Sequence, residues 1–135
     1  MTGEPSTVIL DTSVFIATET GRSVGGLDPS ATVSISVVTL AELKAGVLTA
    51  TQVKTRSIRL NTLGLAQSLT CLPIDEFVAD IWSALRVEVA RLGRRVNIND
   101  LWIAATALRH ESAVATQDGD FDIIADVSEL QVVQV

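Results

Sequence analysis

The sequence predicts an α/β fold built on a parallel sheet, and three observations support this prediction. Short apolar runs rich in β-branched residues alternate with segments of helical periodicity, as in βαβ units. The first run ends at Asp11, at a strand-to-helix junction where open α/β sheets place their ligands. Further acidic residues recur at similar junctions. At 135 residues the chain has the length of one domain, and we expect residues 1–135 to form it.

The first half of the chain alternates strands with helices. Period-two alternation indicates the strands, and Gly, Ser and Pro indicate a loop between the first two units. That loop lacks the G-x-x-x-x-G-K-[ST] spacing of a phosphate-binding loop. We expect Leu60 and Leu63 among the buried residues of the third helix, with its basic residues on the exposed side. The predicted elements are a strand at 8–10, a helix from 14, a loop at 19–30, a strand at 32–37, and helices at 38–48 and 51–69.

The second half begins with an edge strand and a long helix. Asp75 is placed to cap that helix, and apolar residues from Phe77 to Leu92 recur at intervals of three and four, as core-facing residues do. Trp82 is expected in the core or at an interface. Gly93 ends the helix. The remaining predicted elements are an edge strand at 71–74, helices at 75–92 and 97–110, a strand at 112–116, a short turn at 121–124 and a strand at 130–133.

Composition limits the classes of function. The single cysteine, Cys71, excludes an internal disulfide and favours a reducing cytoplasm. We see no export signal, and no segment approaches the roughly 20 apolar residues of a membrane span. A hydrophobic content of 47% and a mean hydropathy of +0.40 are high for a small domain, so we expect apolar surface that a second copy or another partner covers.

Asp100 lies at the start of a helix that is predicted to be buried. Between Leu101 and Leu108 the only polar side chain is that of Thr106, so the helix is apolar nearly all round. A carboxylate carried inside would cost several kcal/mol unless paired, protonated or bound to a cation. The helix N-terminus would offset only about 0.3–1 kcal/mol of this. Since no conveniently placed Lys or Arg is visible nearby in the sequence, metal ligation is the favoured interpretation.

Four acidic residues share the same kind of position, just beyond a strand or at the start of a helix. In a parallel sheet these positions lie on one edge, where like charges repel unless a divalent cation joins them. Each acid also has a local alternative as a helix cap or turn residue; Thr39 and Glu42, for example, have capping-box spacing. The four are Asp11, Glu42, Asp100 and Asp118, and Asp120 follows closely.

The net charge of −6 argues against a nucleic-acid partner, because Lys and Arg supply phosphate contacts. If the five acids form one cluster, however, the other acidic residues number eleven against ten basic ones. The rest of the surface is then close to neutral, and the negative charge is concentrated where divalent cations would offset it.

Several segments together resemble the PIN-domain nucleases and, within that family, the VapC toxins of bacterial toxin–antitoxin pairs. They follow the family's order and cover nearly the whole chain, which makes the match specific although each segment is short. The matching segments are 8–15 (VILDTSVF), 39–46 (TLAELKAG), 72–73 (LP), 93–108 (GRRVNINDLWIAATAL) and 115–121 (ATQDGDF).

The resemblance implies a three-layer α/β/α sandwich with a five-stranded parallel sheet. It also implies an endoribonuclease that depends on Mg²⁺ or Mn²⁺, cuts structured cellular RNA, and is neutralised by a cognate VapB-like antitoxin. It assigns metal binding and catalysis to the four acids, with Asp120 as a less certain fifth member and with Ser13 and Thr116 in support. Candidate RNA contacts are Lys44, Arg94 and Arg95, although the arginines could instead complement the dipole at the end of the long helix.

Oxygen ligands around Mg²⁺ suit hydrolysis by a water whose pKa the ion lowers, and we expect 5′-phosphate and 3′-hydroxyl ends. The only histidine, His110, lies about 15 Å from Asp100 along the same helix, too far for a proton-shuttling pair. Two alternatives stay open. One is a haloacid-dehalogenase-type phosphotransferase, whose second acid is replaced here by Ser13. The other is a non-catalytic module with this fold that binds RNA or an antitoxin.

Overall fold

A computed structural model describes residues 5–135, which form five strands and six helices. In chain order the elements are β1 (Thr7–Leu10), α1 (Thr12–Glu19), β2 (Thr32–Ser36), α2 (Val37–Thr49), α3 (Val53–Gln67), β3 (Thr70–Leu72), α4 (Glu76–Arg91), α5 (Ile98–Arg109), β4 (Ala113–Thr116), α6 (Phe121–Asp126) and β5 (Val132–Gln134).

All five strands are parallel and lie in the order β3-β2-β1-β4-β5. The order reverses at β1, because β2 and β3 lie on one side of it and β4 and β5 on the other. Ligands of open α/β sheets bind beyond the carboxyl ends of the strands at such a reversal. The pair of strands that matters for the site is therefore β1 and β4, whose ends are joined by a hydrogen bond from Asp11 N to Ala115 O of 2.9 Å.

Helices cover both faces of the sheet and form the predicted three layers. Successive side chains of a strand point to opposite faces, and Ile9 and Leu10 of β1 accordingly pack in two different apolar clusters. Helices α4, α5 and α6 pack on the face of Ile9. Helices α1, α2 and α3 pack on the other face, where Phe15 and Ile35 lie. The predicted three-layer α/β/α fold is confirmed.

Three apolar residues that were predicted to be buried are half-exposed. Leu60 is 49% exposed, Phe77 51% and Leu92 50%, whereas Leu63 and Leu85 are buried as expected. The periodicity locates the apolar stripe of a helix but not how much of its width the neighbouring elements cover. The last strand also begins at Val132, two residues later than predicted, although Leu130 before it is buried.

Trp82 was predicted to lie in the core or at an interface, and the structure shows it packed against the core. Its ring stacks on that of Trp102, with centroids 4.6 Å apart and an interplanar angle of 15°. Both rings pack against the apolar cluster between α4 and α5. The stack joins the middle of α4 to the helix that carries Asp100.

Two of the basic residues of α3, which were predicted to lie on its exposed side, also donate hydrogen bonds to the preceding helix. The guanidinium of Arg56 donates to Ala50 O at 2.9 Å, and that of Arg59 donates to Gly46 O at 2.6 Å. Both carbonyls belong to the end of α2, where the last carbonyls of a helix lack partners within it. These arginines therefore bind the end of α2, while Lys54 stays exposed.

No helix within residues 5–135 is long and apolar enough to cross a membrane. Cys71 is an exposed free thiol.

The predicted ends of α4 and α5 are confirmed. Asp75 Oδ1 accepts from Val78 N at 2.9 Å, and Asn97 Oδ1 accepts from Asn99 N at 2.8 Å. Gly93, just beyond α4, has a φ of +67°, a left-handed conformation that favours glycine. This turn allows the chain to leave α4 and start α5, so that Asp100 lies in the first turn of α5.

Replacement of Asp75 tests the cap of α4. Asp75→Ala removes the acceptor of the Val78 amide and should lower the free energy of unfolding by about 1 kcal/mol in urea denaturation. Asp75→Asn keeps an acceptor and should lose much less. Asp80→Ala, an exposed acid of the same helix without a cap bond, is the control for charge, and an equal loss there would contradict this interpretation.

Candidate functional site

Asp11 is the most buried of the candidate acids, with 4% of its surface exposed. It follows β1 and caps α1, since its Oδ2 accepts from Ser13 N at 3.4 Å. The same oxygen accepts from the Thr116 hydroxyl at 2.9 Å. Burial raises the pKa of the Asp11 carboxyl above its ordinary value, and the hydrogen bonds from Ser13 and Thr116 act in the opposite direction.

A chain of hydrogen bonds fixes the Asp11 carboxyl from the end of β4. The Thr116 hydroxyl has one proton and donates it to Asp11, so Ser13 Oγ, 3.2 Å away, must donate to Thr116 Oγ1. Ser13 Oγ accepts in turn from Gln117 N at 3.0 Å. Thr116 Oγ1 also accepts from Asp118 N at 2.9 Å. Through these bonds Thr116 joins Asp11 to the start of the loop that carries Asp118.

The capping-box interpretation of Thr39 and Glu42 is wrong. Helix α2 begins at Val37 with Ser36 as its N-cap, and Ser36 Oγ accepts from Val38 N at 3.1 Å. Thr39 is therefore inside the helix, and Glu42 lies in its second turn. The strand ends one residue earlier than the alternation predicts, because the Ser36 side chain already caps the helix.

Glu42 is held by a residue of another helix. The Thr12 hydroxyl donates to Glu42 Oε1 at 2.7 Å and lies 3.0 Å from the fully buried Thr39 hydroxyl. Glu42 also lines a cavity of about 340 Å³ between α1, α2 and α3, together with Thr12 and Arg59. Its carboxylate is thus positioned beside the first turn of α1, which Asp11 caps.

Asp118 and Asp120 lie on the loop between β4 and α6. Asp118 Oδ1 accepts from Asp120 N at 3.0 Å, which is the predicted turn at Asp118 and Gly119. Asp120 stands at the N-cap position of α6, but its side chain makes no capping hydrogen bond. The prediction that Asp120 could cap this helix is therefore wrong, and its carboxylate is not engaged by the helix.

Asp100 shows the electrostatic cost of the arrangement most clearly. It is partly buried in the first turn of α5. Loss of solvent, and then the negative charges of the other four acids, raise its pKa to about 7. The acids that act on it are Asp11, Asp118, Asp120 and Glu42.

The structure brings all five candidate acids to one edge of the sheet. Carboxylate oxygens of Asp100, Asp118 and Asp120 lie within 4.8 Å of one another, close enough to bind one cation together. No basic side chain of residues 5–135 forms an ion pair with any of the five, because the one ion pair in this part of the chain joins Arg91 to Glu88. The five acids are called the carboxylate cluster below.

The basic candidates lie apart from the carboxylate cluster. Lys44 is exposed on α2, two residues after Glu42. Arg94 and Arg95 line a cavity of about 320 Å³ whose lining contains none of the five acids. His110 is the C-cap residue of α5, at the opposite end of that helix from Asp100, as predicted.

Sequence reasoning missed two residues that the structure places beside candidate residues. Thr12 donates a hydrogen bond to Glu42. The only sign of a role for Thr12 in the sequence was that it directly follows Asp11. Arg86 lines the cavity of Arg94 and Arg95, but it lies eight residues earlier, in the middle of a helix. Both roles depend on contacts between elements, which no local pattern reports.

Comparison with known proteins gives consistent results. Residues 8–127 match the family described as the PIN domain. The chain is 44% identical over 135 residues to Ribonuclease VapC5 of Mycobacterium tuberculosis, covering 100% of both chains. It is 43% identical over 123 residues to Ribonuclease VapC4 of the same species, covering 88% of this chain and 92% of that one.

The fold is similar to a crystal structure of VapBC-5 from Mycobacterium tuberculosis, a member of the VapBC family of toxin–antitoxin systems. The TM-score is 0.84 and the sequence identity 41%, over 97% of this chain and 100% of that chain.

The raised pKa of Asp100 predicts how stability depends on pH when divalent cations are chelated. Between its ordinary value of 3.8 and about 7, the folded protein keeps a proton that the unfolded chain has released. Stability therefore falls as the pH rises through this window. Asp100→Asn removes the charge and should raise the melting temperature at pH 8 by about 5 °C. The increase should become progressively smaller as the pH is lowered toward 4.

Thermal unfolding at several pH values in EDTA measures this effect. Asp80→Asn, an exposed acid on α4, is the control and should shift the melting temperature little at any pH. A difference between Asp100→Asn and the parent protein that is the same at pH 5 and pH 8 would contradict the electrostatic explanation.

Proposed function

The chain belongs to the PIN-domain family, and on that premise we propose that it is a metal-dependent endoribonuclease, the toxin of a toxin–antitoxin pair. Its similarity to two proteins named as VapC ribonucleases, over the full length of one and most of the other, supports the class of reaction. The observation that carries the proposal is the carboxylate cluster, in which five acids converge without a basic partner among residues 5–135.

The cluster fits a divalent cation by the chemistry of its donors. It offers only carboxylate oxygens, and Mg²⁺ and Mn²⁺ prefer oxygen ligands. Asp100, Asp118 and Asp120 would hold the cation, with Asp11 and Glu42 completing the acidic set. Bound there, the cation would lower the pKa of a water and offset the charge of the RNA phosphate.

The protein's own residues would position this chemistry. Thr116, with Ser13 behind it, holds the Asp11 carboxyl and the Asp118 amide at fixed distances, so the two strand ends keep one geometry. Thr12 holds the Glu42 carboxylate by a hydrogen bond in a similar way. The reaction proposed is hydrolysis of a phosphodiester, in which water adds to phosphorus and the 3′ oxygen leaves. The expected products carry 5′-phosphate and 3′-hydroxyl ends.

The proposed substrate is a structured cellular RNA. The chain has few residues on which bases could stack, since it contains no Tyr, three Phe and two Trp, and both tryptophans stack on each other. We therefore propose selection by the shape and backbone of the RNA. Membership of the PIN-domain family argues against the dehalogenase-type alternative, while a non-catalytic RNA- or antitoxin-binding module is the remaining second candidate.

Incubation of the pure protein with structured RNA tests the proposal. We expect cleavage with Mg²⁺ or Mn²⁺ and none with EDTA. Asp11→Asn, Asp100→Asn and Asp118→Asn should each lower the cleavage rate on the order of 100-fold or more, because each removes a negative charge from the carboxylate cluster. End-labelling of the products identifies the 5′-phosphate.

Asp122→Asn provides the matched control, since this exposed acid lies on α6 just outside the cluster and should leave cleavage unchanged. Intact RNA under every condition, together with tight binding of RNA or of an antitoxin, would establish the non-catalytic module instead. A measurement independent of activity is the rise in melting temperature with Mn²⁺, which Asp118→Asn should reduce.

We also propose a cognate VapB-like antitoxin and a homodimer. The similar crystal structure is that of a toxin–antitoxin system. In this chain, several large apolar side chains are exposed on α3 and α4, as expected of surfaces that a partner covers. They include Val53, Leu60, Leu65, Phe77 and Val87. The proposed setting is the reducing cytoplasm.

Sedimentation of the protein alone and after coexpression with the product of a neighbouring antitoxin gene tests both partners. We expect a dimer alone, and with the antitoxin a stable complex in which RNA cleavage is suppressed. A monomer at micromolar concentration would refute the homodimer. Unchanged cleavage in the presence of each candidate antitoxin would refute the proposed inhibition.

A further inference from the structure

Three arginines from two elements line one cavity on the surface. Arg86 comes from the middle of α4, and Arg94 and Arg95 come from the segment that joins α4 to α5. The cavity measures about 320 Å³, and its other lining residues are Val89, Ala90 and Val96. No acidic residue contributes to its lining. This is called the arginine cavity below.

The three guanidinium groups have no partner among residues 5–135. None of them forms an ion pair, and none donates a side-chain hydrogen bond within this part of the chain. On α4 the positions three and four residues from Arg86 hold Ser83, Val89, Trp82 and Ala90, so a helical acid does not neutralise it either.

Hydrogen bonding to the carbonyls at the end of a helix does not occupy these arginines. Arg56 and Arg59 show what such bonding looks like in this protein, because their guanidinium groups donate to carbonyls at the end of α2. Arg94 and Arg95 lie even closer in sequence to the end of α4, yet their side chains donate no hydrogen bond to its carbonyls. Their charges are available to another molecule.

We infer that the arginine cavity binds a phosphate of the RNA backbone at a distance from the phosphate that is cut. This inference rests on the proposed function, and it concerns how an acidic protein retains its RNA. A chain of net charge −6 repels RNA overall, so binding needs a local concentration of positive charge. Arginine suits this role, since its planar guanidinium forms paired hydrogen bonds to phosphate oxygens.

The arginine cavity and the carboxylate cluster are within reach of one RNA strand. Asp100 lies five positions after Arg95, and five residue steps span at most about 18 Å between Cα atoms. A stacked strand presents one phosphate per roughly 3.4 Å of its axis, so the phosphate in the cavity lies within about five nucleotides of the one at Asp100. A dinucleotide has a single phosphate and can therefore occupy the carboxylate cluster without the arginine cavity.

Binding of labelled RNA, measured by fluorescence anisotropy in EDTA, tests the inference without cleavage. The double variant Arg86→Gln/Arg95→Gln should raise the Kd for a structured RNA of about 20 nucleotides on the order of ten-fold at low salt. It should also reduce the slope of log Kd against log salt by about 0.7, because one phosphate contact is lost.

The matched control is Lys54→Gln/Arg109→Gln, which changes the net charge equally at exposed residues of α3 and α5 outside the cavity. It should leave the Kd within about two-fold of the parent value. Equal weakening in the two double variants would overturn the inference, since net charge alone would then explain binding. Circular dichroism of both variants confirms folding, and the single variant Arg86→Gln replaces the double if the latter unfolds.

Cleavage separates this inference from the proposed function. With Mg²⁺, the Arg86→Gln/Arg95→Gln variant should lose kcat/KM on the long RNA and keep it on a dinucleotide, whose single phosphate cannot occupy both sites. If the parent protein cuts no RNA but the variant still loses affinity, the nuclease proposal fails and the arginine cavity stands. If RNA binding is unchanged and only binding of the antitoxin is lost, the cavity is a protein contact and the inference is wrong.

Discussion

The structure depends on the confinement of like charges at one edge of a parallel sheet. Five carboxylates lie together, and repulsion together with loss of solvent raises the pKa of Asp100 to about 7. Such an arrangement destabilises the free protein, and within residues 5–135 no basic side chain relieves it by an ion pair. A divalent cation would relieve it, and the proposal of a metal-dependent reaction therefore rests on the electrostatics of this edge more than on any one residue.

The hydrogen bonds behind the carboxylates explain how the fold keeps them close together. Thr116 is buried at the end of β4 and bonds both the Asp11 carboxyl and the Asp118 amide. Thr12 fixes Glu42 from the neighbouring helix. Uncharged hydroxyl groups thus hold charged groups without neutralising them.

The uneven distribution of charge also explains how an acidic protein of the PIN-domain family could act on RNA. The negative charge gathers at the carboxylate cluster, and an unpaired group of arginines lies a short segment of chain away. The net charge of −6 is therefore not spread evenly over the surface. An approaching polyanion meets a strongly negative edge, which a cation would offset, and a separate cavity lined by arginines.

The sequence by itself determined the parallel α/β class, the ends of α4 and α5, and the acids of the cluster, because period, caps and strand-to-helix junctions are local signals. Resemblance supplied the strand number. Only the tertiary structure decided that the strand order reverses at β1, that Glu42 is held by Thr12 and not by a capping box, and that Arg86 joins Arg94 and Arg95. It also left Leu60 and Phe77 half-exposed despite their helical spacing. These features depend on which elements pack together, and packing partners distant in sequence leave no mark on a residue's own neighbours in the chain.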